Sequence, residues 1–435
     1  HDQIGGGFCR YSVDERWEIP HFEKMLYDNA QLLSLYARRT AANARFGAVA
    51  HELVAWLVRE MTTPDGAFFA ALDADSEHEE GKFYVWRRDE IRGALSDREF
   101  AVAERRYGFD RPANFEGHAW NPLIAGSFAD IAQALAIGVD EAESLGRSVR
   151  DKLFAARAVR VRPGLDDKVL TAWNALMIGA LARTARRFDA PPLMDLAAGA
   201  LDVLYNAAWR DGRLFAKAGA DAAKFPAYLD DHAFLLAALL DCLRTRFHER
   251  DLAWAILIAE ALLERFEDRE HGGFHFTAHD HERLIQRPKP YADEAVPSGN
   301  GIAARALLAL GHLVGEPRYL AAAERTLRAA WTTLADMPQA CASLLRALAD
   351  LGEPRTHVVV RAAAEEVAAW RSAIDDAHTE RCDVYVVPPS TGRLPGALAA
   401  QPHARGGLAY VCRGTRCLAP IAEPAALAAA LRARD

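Results

Sequence analysis

The chain has 435 residues, 51% of them hydrophobic and 26% charged, with a formal net charge of −8. That composition fits a globular protein with a sizeable core and excludes a disordered one. Acidic and basic residues are interspersed, so no basic stripe points to a nucleic-acid backbone, and no apolar run approaches the roughly 18 residues that a membrane helix needs.

The sequence opens at His1 without methionine and reads as one trimmed before that residue, which leaves the question of a signal peptide open. Six cysteines are few for this length, and three lie in or beside apolar helical stretches, which suits a reducing, cytoplasmic setting. Cys412 and Cys417 are spaced C-x4-C. A zinc site there needs two further ligands and none is evident, so the pair reads as two ordinary thiols at a strand end.

Residues 20–350 read mostly as helix. Between Pro20 and Arg39, Phe22, Met25, Leu26, Leu32, Leu33 and Tyr36 form one stripe spaced by threes and fours. Comparable stretches begin near Thr171, Asp230, Asp251, Ser298 and Pro317, with Thr171, Asp230 or Asp231, and Ser298 as expected N-caps. Trp254–Phe266 is apolar nearly all round and must be covered on more than one side. Between helices a glycine turn followed by an aromatic recurs: Gly5-Gly6-Gly7-Phe8, Gly66-Ala67-Phe68-Phe69, Gly212-Arg213-Leu214-Phe215 and Gly272-Gly273-Phe274-His275-Phe276. The outer pairs of copies lie 61 and 60 residues apart, the length of one helix pair plus a loop. Helix pairs cannot bury their apolar faces alone, so they stack into a solenoid or close into a toroid. After Gly352 the pattern changes. Strands at 356–360, 383–387 and 407–412 alternate with helices at 362–370 and 425–433, a small α/β appendage. The expected division is therefore a helical body over 1–352 and an α/β region over 353–435.

Charged residues gather at the loops before helices. His21, Glu23, Lys24 and Asp28 lie at or just after Pro20, and a helix starting there would put His21 and Asp28 on one face. Histidine titrates where acid–base catalysis needs it. Asp73, Asp75 and Glu77 alternate, so an extended backbone aims them one way; an acidic, solvated loop is the plainer reading. Asp166-Asp167-Lys168 precedes Trp173-Asn174, and an aromatic face beside carboxylates suits a sugar ring, although a tryptophan at helical spacing is more often core. Asp230-Asp231-His232 repeats the theme, with one aspartate read as a cap. Asp293, Ser298 and Asn300 complete the set. His271, His275, His279 and His281 match no tight zinc pattern, so no metal is expected, and no phosphate loop, dinucleotide fingerprint or nucleophile elbow calls for a cofactor.

The segment GGGFCRYSVDERWEIPHFEKMLYDNAQL, with Arg10 and Tyr11 inside it, closely resembles a hallmark of the YyaL-like family, whose animal members are called spermatogenesis-associated thioredoxin-like proteins. Asp73-Ala74-Asp75-Ser76, Glu80-Gly81-Lys82-Phe83-Tyr84-Val85-Trp86, Asp166–Asn174, Pro297-Ser298-Gly299-Asn300 and Tyr410-Val411-Cys412 extend the resemblance along almost the whole chain. It implies a mainly α fold, an (α/α)6 toroid of the six-hairpin glycosidase type related to N-acylglucosamine 2-epimerases. Here the toroid would lack one hairpin and the thioredoxin-like domain that serves longer relatives as a partner in cis. The resemblance brings no settled reaction, and by analogy with that fold the first expectation is a carbohydrate-active enzyme, an epimerase or isomerase before a hydrolase. His21, Asp75, Asp167, Asp231 and His232 would be its catalytic residues. Arg10, Tyr11, Glu23, Lys24, Asp28, Asp73, Lys168, Trp173, Asn174, Asp293, Ser298 and Asn300 would bind a sugar-like ligand. Proton removal and return beside a sugar carbonyl is the expected chemistry, with His21 and His232 as base and acid. A glycosidase would instead pair carboxylates such as Asp75 and Asp231, about 5–5.5 Å apart for retention or 6.5–9.5 Å for inversion. The rival is a non-catalytic ring that works with a thioredoxin-like domain in redox or protein quality control.

Overall fold

A computed structural model describes residues 1–219, 224–375, 381–392 and 394–433. It is mostly helical, as the periodicity requires, and divides into two compact units, residues 1–64 with 68–168 and residues 65–67 with 169–435. Among the described residues no helix is long and apolar enough to cross a membrane.

The first unit opens with a hairpin of β1 (Tyr11–Ser12) and β2 (Pro20–His21). β3 (Lys24–Met25) then pairs with β4 (Ala71–Leu72), which pairs with β7 (Leu165–Asp166). Helix α1 starts only at Leu26 and runs to Arg39. The helix expected from Pro20 is therefore shorter: strand pairing at Tyr11↔His21 and Lys24↔Leu72 claims the backbone before it. α2 (Ala44–Trp56) returns against α1, and α3 (Arg88–Ala94), α4 (Asp97–Tyr107), α5 (Phe128–Leu135) and α6 (Val139–Ala158) follow. Between them β5 (Asp75–Ser76) and β6 (Glu79–Glu80) form a tight hairpin, with Glu77 and His78 in the left-handed region.

The second unit is built from helix pairs α7 (Thr171–Phe188) with α8 (Pro191–Ala207), α9 (Leu229–Thr245) with α10 (Glu249–Ala261), and α11 (Gly299–Val314) with α12 (Pro317–Ala329). A short α13 (Trp331–Asp336) and then α14 (Ala342–Gly352) follow. α7, α9, α11 and α14 are successive neighbours, and α7, α9 and α11 carry buried residues on more than one face while α14 buries one. β8 (Trp209–Arg210) and β9 (Arg213–Leu214) make the hairpin at the third glycine turn.

The region after Gly352 forms a sheet from β10 (Thr356–Arg361), β11 (Cys382–Val387), β12 (Leu408–Arg413) and β13 (Arg416–Cys417) in the order β11-β10-β12-β13. α15 (Val367–Asp375) and α16 (Pro424–Arg432) cover the sheet around buried Trp370, Leu427 and Leu431. Cys412 and Cys417 are not two free thiols. Register sets them opposite one another on β12 and β13, and they form a disulfide. This sheet packs on the helices of its own unit through a buried ionic chain. Arg183 pairs with Asp241, Arg244 bridges Asp241 (3.1 Å) and Asp383 (3.2 Å), and Arg355 holds the other oxygen of Asp383 at 3.1 Å. Burial alone would raise the Asp383 carboxyl, but Arg244 and Arg355 hold it well below the usual carboxylate range.

The first and fourth glycine turns are the same device. Asp2 Oδ1 accepts from the amides of Ile4 (3.0 Å) and Gly5 (2.9 Å); Asp268 Oδ1 accepts from those of Glu270 (3.1 Å) and His271 (2.9 Å). Lys24 Nζ donates to Asp2 Oδ2 and the Gly6 carbonyl, both at 2.8 Å, and Lys289 Nζ to Asp268 Oδ2 and the Gly272 carbonyl, both at 2.9 Å. An asparagine then closes each turn onto its helix. Asn29 takes the Phe8 amide at 2.8 Å and gives to the Phe8 and Met25 carbonyls; Asn300 takes the Phe274 amide at 2.7 Å and gives to the Phe274 and Pro290 carbonyls. Gly6 and Gly272 have φ of 79° and 75°, and a Cβ on either would lie 2.6 or 2.5 Å from a helix carbonyl, so no other residue fits. Since each asparagine, itself fully buried, satisfies three backbone groups, Asn29→Ala and Asn300→Ala should each lower stability by about 3 kcal/mol. Urea midpoints measure this; an Asn300→Ala protein as stable as the parent would remove Asn300 from the turn.

Candidate functional site

In the first unit the β1–β2 hairpin gathers several of the expected residues. His21 lies flat against the Tyr11 ring, centroids 4.9 Å apart at 20°. Its Nδ1 is 2.6 Å from Glu80 Oε1 and its Nε2 is 3.2 Å from Glu23 Oε2. The same Glu23 oxygen takes Arg10 at 3.2 Å, and Arg10 also engages the Tyr27 hydroxyl. Tyr11 is 52% exposed and Trp17, at the tip of the hairpin, 82%, while the His21 side chain is 22% exposed. Asp28 completes the group. Burial pushes its carboxyl up to about 6, against the pull of Arg10 and with a further push from Glu23, and its Oδ2 has no hydrogen-bond partner among the described protein atoms. Arg10, Tyr11, His21, Glu23 and Asp28 thus belong to one cluster, although His21 and Asp28 do not share a helix face. Glu80 was missed as a site residue. Only its place within the quoted Glu80–Trp86 motif could have flagged it, because the β5–β6 hairpin that carries it has no strong sequence signal.

The other residues of this unit behave differently. Lys24, 1% exposed, is a tie of the first glycine turn. Asp73 and Asp75 are exposed and alternate with buried Ala74 and Ser76, as an extended segment requires, but Glu77 falls in the left-handed turn after Ser76 and leaves that alternation. Asp73 accepts from the Ala74 amide at 2.7 Å, and Asp75 stands across the hairpin from Glu80. Lys168 pairs with Asp166 at 2.7 Å, and Asp167 is exposed beside them.

In the second unit most expected site residues have their polar atoms engaged by the fold. Asp231 Oδ2 accepts from the Tyr228 amide (2.8 Å) and Oδ1 from the Ala172 amide (3.0 Å), so it caps α9 from inside its first turn, with Tyr228 rather than an aspartate at the N-cap position. Burial pushes its carboxyl up to about 7, the two amides pull the other way, and Asp230 adds to the rise. Burial also pushes neighbouring Asp230 up to about 6, and Gly299 is glycine because a Cβ there would lie 2.2 Å from Asp230 Oδ1. His232 Nδ1 bonds the Tyr228 carbonyl at 2.9 Å, and burial lowers the imidazole to about 4. The cavity beside it is only about 30 Å³, room for one water. Asp293 ties the start of α11 to that of α14, accepting from the Ser298 amide (2.8 Å), the Ser343 amide (2.9 Å) and the Ser343 hydroxyl. Ser298 is the N-cap expected, Asn300 closes the fourth glycine turn, Asn174 donates to the Leu170 carbonyl at 3.0 Å, and Trp173 is half-buried. A larger cleft, about 590 Å³, opens beside the fourth glycine turn and is lined by Arg265, Asp268, His271, His275, His279 and Arg287 among others. Among the described residues no three His, Cys, Asp or Glu side chains are placed to hold a metal ion.

No family model matches the chain. It is 28% identical to human spermatogenesis-associated protein 20 over 477 residues, which cover 98% of the chain and 60% of that protein, and 29% identical to the rat protein over 397 residues, covering 82% and 50%. An uncharacterized protein of Caenorhabditis elegans is 27% identical over 97% of the chain and 63% of its own length. These proteins are its homologues. The chain spans between half and two thirds of their length. Among solved structures it is similar to a sugar epimerase from a ruminal bacterium (TM-score 0.46, 10% identity, 76% of this chain and 65% of that one). It is also similar to the cellobiose 2-epimerase of Bacillus thermoamylovorans (0.45, 11%, 76% and 66%) and to a GH76 α-mannanase of Bacteroides thetaiotaomicron (0.39, 10%, 71% and 61%).

The raised Asp231 carboxyl has a consequence for pH. A folded-state value near 7, above the unfolded 3.8, favours the folded protein fully at low pH and loses that contribution as pH rises through 7. Between pH 5 and 8 the parent should therefore lose about 2 kcal/mol more than Asp231→Asn. Urea titrations of both proteins at the two pH values decide it, and parallel losses would contradict a buried, partly protonated Asp231.

Proposed function

We propose that the chain is an acid–base enzyme acting on a sugar-like polyol, an epimerase or isomerase rather than a hydrolase, with its reacting group at the His21 cluster. The observation that carries this reading is a partly exposed imidazole held between two carboxylates and stacked on an exposed tyrosine. Aromatic faces such as Tyr11 and Trp17 suit the apolar face of a sugar ring, and the carboxylates around them suit its hydroxyls. In an open-chain sugar the hydrogen beside the carbonyl is acidic. His21 would take it on Nε2 once Glu23 turns towards Arg10, while Glu80 holds Nδ1 and fixes the ring. The electron pair left on carbon moves to the carbonyl oxygen, and the Arg10 guanidinium is the nearby cation for that charge. Asp28, with its carboxyl near 6, can carry a proton at neutral pH and return one.

His232 is the weaker base candidate. Its lowered value keeps it neutral, but it is sealed in, and a cavity for one water does not admit a sugar. Asp75 and Asp167, exposed in the same unit as His21, would orient hydroxyls rather than transfer protons. Cys9, Cys242 and Cys341 stand outside the Cys412–Cys417 disulfide, and a reducing, cytoplasmic site of action suits such thiols.

The test is solvent-deuterium uptake at the carbon beside the carbonyl across a panel of aldoses, ketoses and 1,4-linked disaccharides. His21→Asn should lower the rate by about 10²-fold or more with little change in KM. If the parent exchanges no deuterium into any sugar, the non-catalytic binding reading replaces the enzyme.

A further inference from the structure

We propose that the Cys412–Cys417 pair is a reversible thiol–disulfide exchange site, taking electrons from a dithiol independently of any chemistry at His21. The two cysteines occupy opposed positions on β12 and β13, so the sheet itself holds their sulfurs together in either oxidation state. Cys417 is exposed and Cys412 half-buried, which gives an incoming thiolate one accessible sulfur and the other as leaving group.

The bond contributes little that the fold otherwise lacks. It closes a loop of sequence separation five, the kind that removes least entropy from the unfolded chain. The strands also stay joined without it: Leu418 donates to the Val411 carbonyl at 2.9 Å, Ala409 pairs with Ile421 in both directions, and Val411 is fully buried. Opening the disulfide therefore leaves the sheet intact. Three of the other four cysteines are poor competitors. Cys242 and Cys341 are buried, and burial raises the thiols of Cys9, Cys242 and Cys341 above the ordinary value, away from the reactive thiolate.

The exchange balances without any further reagent. A thiolate of the dithiol attacks Cys417 Sγ, the Cys412–Cys417 bond breaks, and Cys412 leaves as a thiolate that takes a proton. The second thiol of the dithiol then attacks the mixed disulfide, releasing Cys417. The hairpin gains two electrons and two protons, and the dithiol becomes a disulfide.

Peptide mapping of the full chain, purified in air and alkylated under denaturing conditions, should find Cys412 and Cys417 linked. Dithiothreitol should open that link in the native protein at a rate linear in its concentration and about tenfold or more faster than global unfolding, with the melting temperature unchanged. With oxidised glutathione, C412S, which leaves the exposed Cys417 thiol, should form the mixed disulfide about tenfold faster than C417S. Two free thiols in the air-purified chain, opening only at the unfolding rate, or equal rates for the two variants would each overturn the proposal.

Discussion

The constraint on which the rest depends is what the backbone must do when one helix pair hands over to the next. A chain that leaves one helix, turns sharply and starts another brings unpaired amides and carbonyls into a place that packing has dried out. At the first and fourth glycine turns the solution is one aspartate, one lysine and one asparagine. The aspartate takes the amides of the turn, the lysine neutralises it and caps a glycine carbonyl, and the asparagine binds both backbone groups of the following phenylalanine. Every polar atom of the device has a partner, which is the condition for burying charge at modest cost. At the first turn Arg157 joins the same aspartate at 3.0 Å, and Lys24 lies over the rings of Tyr84 and Trp56.

This device explains which parts of the molecule were legible in the sequence. The glycine–aromatic repeat is visible because only glycine survives at Gly6 and Gly272, and its period exposes the helix pairs. Its polar members are not, because Lys24 sits 18 residues from Gly6 and Asn300 sits 26 from Phe274, separations that only the folded chain brings together. Charged residues before helices thus look alike in the sequence whether they brace a turn or face solvent. Lys24, Asp293, Ser298 and Asn300 carry bracing contacts, whereas Arg10, Tyr11, His21 and Glu23 meet in a half-exposed cluster. The start of α1 was misplaced for a related reason. The apolar stripe from Phe22 is continuous with the helix, but β-pairing through Lys24↔Leu72 extends the backbone up to Met25, and periodicity carries no information about a partner 48 residues away.

The two histidines that the sequence offers as equals are separated by their surroundings. His232 is enclosed, bonded to the Tyr228 carbonyl and packed on Phe266, so burial opposes its charged form. His21 keeps part of its surface in water, with a carboxylate at each ring nitrogen. A proton-transfer group needs both access and partners that follow its change of charge, and His21 has them while His232 has neither. Asp28 and Asp231 differ in the same sense. Burial raises both carboxyls, yet Asp231 spends its oxygens on two amides of the α9 start, whereas Asp28 keeps one oxygen unpartnered among the described protein atoms beside Arg10 and Glu23.

The α/β region after Gly352 shows why a change of sequence pattern need not mark an independent body. Its own core of Val358, Val360, Trp370, Val411 and Leu427 is small. On its other side β11 presents Asp383 and Tyr385 to the ends of the helices, where Arg244 would otherwise face only Asp241. Within the sheet Arg355 pairs with Asp383, and within the helices Arg183 and Arg244 both pair with Asp241. The Arg244–Asp383 pair joins the two, and the cost of leaving a buried charge unpaired, several kcal/mol, is comparable with the stability of a whole domain. Hence the sheet and the helices from α7 to α14 form one unit, although their hydrophobic periodicities differ completely.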